Sequence, residues 1–179
     1  MNDLEAIRTR IARRAYRGEM TEAELRQLQK VALEANLQYG MDMTLLEDDP
    51  DAFGGVTNSY GMFSGVRSLF VVAGWTNEPN LQERAGYAGE RVVLEATKLG
   101  LGTCWVGGTY NRERVLASVQ PGHTLVAVIT VGHVKEAPGL LEKTVGRVGA
   151  DKRKTTEEMM QADGTPPASS SAPGSSPSS

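Results

Sequence analysis

Of the residues that most often bind metals or cross-link chains, this sequence has very few: one cysteine and two histidines in 179 residues. Cys104 alone excludes an internal disulfide and any multi-cysteine metal site. His123 and His133 are too few for a histidine-rich centre. There is no basic excess either. Nineteen Lys and Arg stand against 22 Asp and Glu, a formal net charge of −3, which argues against nucleic acid as the main partner because little positive charge is present to displace counterions. No run approaches the roughly 20 apolar residues needed to cross a bilayer, and the first residues lack the apolar core of a signal peptide. The expectation is a soluble cytoplasmic protein. From Asp163 to Ser179 (DGTPPASSSAPGSSPSS) large apolar residues are missing altogether, so this stretch cannot bury enough surface to offset its ordering entropy. We therefore expect a domain over residues 1–160 and a disordered Ser/Pro/Ala-rich tail over 161–179, a linker being the functional alternative for the tail.

What is present reads as alternating helices and strands. Leu4, Ile7 and Ile11 recur at helical spacing, so a helix is expected over residues 3–15 with Asp3 as its cap. A second helix starts at Thr21, where Glu24 completes a capping box. Its apolar face is Leu25, Leu28, Val31, Ala32 and Ala35, and Gly40 is placed to end it. Met41–Leu46 reads as a short strand, with a short helix expected around Asp51–Gly55. The continuous apolar run Ser68–Gly74 (SLFVVAG) reads as a central strand buried on both faces. Leu81–Leu99 is the longest helix, apolar nearly all round, which implies enclosure by other elements or by a partner subunit. Then come a strand Thr103–Val106, a short helix Asn111–Ser118 and a second buried strand Thr124–Val131 closed by Gly132. The order is that of a sheet with helices on its faces. GYAGERV falls inside a helix rather than after a strand, so it is not a dinucleotide fingerprint.

Three segments resemble the FMN-dependent nitroreductase family: AIRTRIARRAYRGEMTEAEL, GYAGERVVLEATKLGLGTCWVGG, and VAVITVGHV followed by DKRKTTEEM. Together they cover residues 6–158, and the likeness is to the first half of the branch that carries two related halves in one chain. The resemblance implies an α+β, three-layer α/β/α fold with a mixed, largely antiparallel sheet. It implies FMN at an interface between two such units, so a homodimer or a separate second-half polypeptide. Electrons would pass from NAD(P)H through the flavin to a small-molecule acceptor of nitro or quinone type. It places Arg10 and Arg14, with Arg13 as a less certain third, on the FMN phosphate and ribityl chain, where a guanidinium can fork onto phosphate oxygens. It places a main-chain N–H of Gly107 or Gly108 toward the flavin N5 edge, and Arg153, with Lys152, in a basic motif closing on the phosphate.

The same residues also have plainer readings. Arg10 and Arg14 fit a solvated basic helix face, Gly107–Gly108 an ordinary turn, and Lys152–Arg153 a solvated charge run. Gly100 and Gly102 read as structural, Cys104 as a small core hydrophobe and Trp105 as core packing, while Tyr87 and Glu90 are left open. No side chain is assigned a catalytic role, because the cofactor carries the difficult chemistry. The sequence also departs from the family. Ala12 stands where a serine is usual, and ALEANLQYGMDM stands where a Pro-Ser-x-x-Asn-x-Gln-Pro-like flavin-face motif is expected. A flavin-free association module that retains the fold is therefore the alternative function.

Overall fold

The computed structural model describes residues 1–53 and 63–134. Four strands form one antiparallel sheet: β1 (Asp42–Leu46), β2 (Ser68–Trp75), β3 (Gly102–Val106) and β4 (His123–Gly132), in the order β1-β2-β4-β3. Among the described residues four α-helices accompany it, α1 (Asp3–Thr9), α2 (Glu22–Tyr39), α3 (Leu81–Lys98) and α4 (Arg112–Leu116), with a 3-10 turn at Pro50–Ala52.

β2 and β4 are the inner strands, as their unbroken apolar runs require, and β2 is buried from Ser68 to Gly74. Alternate residues of β2 point to opposite faces and feed two separate cores. Phe70 and Val72, with Ile129 and Val131 of β4, pack under α2 and α3 against Leu28, Ala32, Val92 and Val93. Leu69 and Val71, with Val128, face Phe53, Phe63, Tyr110 and Val115 on the other side. Long helices, sheet, and a layer of loop, turn and short helix make three layers, so the fold is α+β as expected. The four-stranded sheet itself is wholly antiparallel. Among the described residues parallel pairing enters through isolated bridges made by residues 12 and 15.

The second helix forms where its capping signals place it. Thr21 Oγ1 accepts from the Glu24 N–H at 3.3 Å, and Glu24 Oε2 accepts from the Thr21 N–H at 2.7 Å. Gly40 ends it in the left-handed region at φ 65°. The first helix differs from expectation. It stops at Thr9 rather than continuing to residue 15, and its cap is Asn2, paired with Glu5, rather than Asp3. Asp3 instead forms an ion pair with Lys98 at the far end of α3, 2.6 Å away. The chain's other elements do not enclose α3 all round: Ala85, Ala88, Gly89, Val92, Val93 and Ala96 are buried, whereas Tyr87 is 68% exposed. The short helix expected around Asp51–Gly55 is the 3-10 turn, capped by Asp49. The expected tail, and Lys152 and Arg153, lie outside the described residues. No described helix is long and apolar enough to cross a membrane.

Candidate functional site

The segment after α1 is where the structure departs most from helical periodicity. From Arg10 onward the backbone is extended, and its hydrogen bonds go to other elements. The Arg13 N–H donates to Thr103 O at 2.8 Å, and Ala12 bridges Thr103 in parallel, so the segment lies along the outer edge of β3. The Ser64 N–H donates to Arg14 O and the Tyr16 N–H to Ser64 O, both at 2.9 Å. The Arg17 N–H donates to His133 O, also at 2.9 Å. Tyr16 is buried in the second core, and its hydroxyl lies 2.7 Å from Thr130 Oγ1 and donates to Arg13 O. An unpaired β3 edge would leave backbone groups unsatisfied beside the core, and this segment satisfies them.

That arrangement sets the candidate residues against two surroundings. Arg10 reaches α3, where its Nε lies 2.6 Å from Glu90 Oε1. The other oxygen of the same carboxylate accepts from Trp105 Nε1 at 3.3 Å, so one carboxylate joins α1's end, α3 and β3. Arg14 sits over the ring of Phe63, 5.8 Å from its centroid, on the side of the second core. Because the bridge to Thr103 is parallel, Arg14 lies toward the end of β3 from which Gly107 and Gly108 follow. Gly107 and Gly108 are exposed. A Cβ at either would meet nothing within 4 Å, and neither adopts a positive φ. Neither packing within the described residues nor backbone conformation therefore calls for glycine there. Bare backbone in open space is what an external flat ligand would use.

Trp105 carries more than core packing. Its six-membered ring lies on Gly89, where a Cβ would overlap it, so the absent side chain on α3 sets the indole's position. Beside it, Glu83, Gly86, Tyr87, Glu90 and Trp105 line an open depression on the outer face of α3. Sequence context assigns Glu90 no role. The signal was weak, since a mid-helix glutamate is ordinarily solvated, and only tertiary placement brings Arg10 and Trp105 to it. A second recess of about 120 Å³, between Tyr16, Glu19, Asp48 and Arg67, is too small for a mononucleotide. Its arginine is already engaged by Asp48 and Glu19. Cys104 is buried, as expected of a core hydrophobe. Among the described residues no three His, Cys, Asp or Glu side chains group to hold a metal ion.

Several solved structures share this architecture. A nitroreductase family protein from Clostridium difficile 630 aligns over 91% of this chain and 99% of its own, with TM-score 0.64 and 15% identity. A nitroreductase with bound FMN from Bacteroides fragilis aligns over 78% and 92%, with TM-score 0.60 and 20% identity. An FMN-dependent nitroreductase from Clostridium difficile R20291 aligns over 75% and 88%, with TM-score 0.59 and 18% identity. At such identities the likeness establishes the fold. Comparison with curated proteins finds none that matches. The family model described as "Putative TM nitroreductase" matches residues 2–171, nearly the whole chain. On that match, this chain belongs to the nitroreductase family.

Proposed function

We propose that the protein is an FMN-binding oxidoreductase, or a subunit of one, that acts in the cytoplasm and passes electrons from NAD(P)H to a nitro or quinone-type acceptor. The observation that carries this reading is the docking of the arginine-bearing segment along β3, the strand that ends in the open Gly107–Gly108 backbone. Family membership and the FMN named for two of the structural neighbours support it.

The chain's own residues fit such a ligand. Arg10, beside Glu90 on α3, and Arg14, over Phe63 on the side of the second core, are separate guanidinium candidates for a phosphate, and Arg153 is a third candidate from the sequence. A main-chain N–H at Gly107 or Gly108 can donate to an electron-rich ring with no side chain in the way. FMN, when bound, supplies the two-electron chemistry, so the protein's task is to hold, orient and shield it. Ala12 offers no hydroxyl, which removes one hydrogen bond of about 1 kcal/mol. A second copy of the chain, or a separate polypeptide, would complete the ring's other wall.

A second reading, a flavin-free association module, is favoured by the sequence ALEANLQYGMDM, which lacks the flavin-face motif. One titration separates them. Purified protein with FMN is expected to show bound-flavin bands and a Kd on the order of tens of micromolar or tighter. Arg14→Ala is expected to weaken binding by about tenfold or more, the scale of a lost charge-assisted contact. Absence of binding in that range removes the flavin reading and leaves the association module, whereas an Arg14→Ala variant that binds equally well removes Arg14 from the flavin site.

A further inference from the structure

Glu90 stands at a junction of three elements remote in sequence: it lies on α3, Arg10 closes α1, and Trp105 belongs to β3. The Arg10–Glu90 side chains are about one third exposed, at 36% and 33%, so the pair is partly shielded yet keeps an open side. The carboxylate is held at both oxygens, by the guanidinium at 2.6 Å and by the indole N–H at 3.3 Å. The indole is in turn fixed by its seat on Gly89. A long arginine side chain ordinarily samples many rotamers, and binding an anion must freeze them. Here the closest approach of Arg10 to Glu90 is through Nε, the inner nitrogen. The terminal Nη groups, with most of the guanidinium's donors, lie beyond that contact.

We propose that Glu90 is a positioning residue for the phosphate end of the site: it holds Arg10 by Nε, with Trp105 steadying the other carboxylate oxygen, so that the terminal guanidinium nitrogens are presented to the phosphate of FMN. This rests on the flavin reading above. The negative charge of Glu90 would repel a phosphate if it stood alone. Arg10 and Trp105 both approach it and offset that charge.

FMN and riboflavin differ only in the phosphate and separate this role from a general structural one. Both are titrated by fluorescence quenching against the wild type, Glu90→Gln, Arg10→Ala and the double variant, with folding checked by circular dichroism. Glu90→Gln is expected to lower FMN affinity about three- to tenfold, the scale of ordering one long side chain, with riboflavin affinity unchanged. It adds nothing in the Arg10→Ala background. Trp105→Phe loses the indole N–H together with the six-membered ring seated on Gly89, and shifts FMN affinity in the same direction. Unchanged or raised FMN affinity in Glu90→Gln, equal losses for the two ligands, or additive losses in the double variant overturn the proposal. A wild-type preference for FMN that Arg10→Ala abolishes and Glu90→Gln leaves intact sinks the role of Glu90 alone. A wild type that binds neither ligand sinks the flavin reading with it.

Discussion

Glycines in this chain do opposite jobs, and only contact geometry tells them apart. At Gly89 the missing side chain is filled by Trp105 and Ile129, so the residue serves internal packing. At Gly107 and Gly108 the space stays open. Gly108→Val is therefore expected to leave the thermal midpoint within about 2 °C, as a surface change of a few tenths of a kcal/mol would. The same substitution should weaken FMN binding at least several-fold if the loop carries the ring. A melting curve and a flavin titration on one preparation check both halves. Gly107–Gly108 was legible as a candidate because the motif GLGTCWVGG marks it. The partnership of Glu90 with Arg10 was not, because an ion pair between residues 10 and 90 has no local sequence signal.

At the scale of elements, the caps of α2 are legible in the chain, whereas at α1 the capping box is Asn2 with Glu5 and not the expected Asp3. Thr21, Glu24 and Gly40 bound α2 through contacts within a few residues, and those contacts need no tertiary help. Glu24 also shows how such a box meets the rest of the fold. Burial pushes its carboxyl up, but hydrogen bonds from the Thr21 N–H and hydroxyl and the charge of His133, 3.2 Å away, outweigh that and hold it below the usual carboxylate value. A depressed folded-state value means the contribution is complete above the ordinary value of 4.5 and is lost as pH falls below it, through the lower folded-state value. Thermal midpoints measured from about pH 6 to 3 should therefore fall less steeply for Glu24→Gln than for the wild type. Parallel curves would deny the carboxylate that role. α1 shows the limit of local reading. Leu4, Ile7 and Ile11 keep helical spacing, yet the helix ends at Thr9 because residues 13–17 gain backbone partners from Thr103, Ser64 and His133. Distant partners override a periodicity that would otherwise carry the helix on.

Across the whole molecule, the helical face is left unfinished. Leu4, Ile7 and Ile11, together with Leu33 and Leu37 of α2 and Tyr87 of α3, are all more than half exposed. A partner is expected to cover them. Light scattering should report a dimer at micromolar concentrations, and a strictly monomeric species would count against both functional readings. The order of helices and strands, the two inner strands and the α2 caps followed from the chain alone, because run length, period and capping are properties of short segments. The residues that close the second core, the extended path of residues 10–17 and the junction of Arg10, Glu90 and Trp105 were decided only by tertiary structure. Each depends on bonds between residues far apart in the chain, and such bonds leave no mark on local composition.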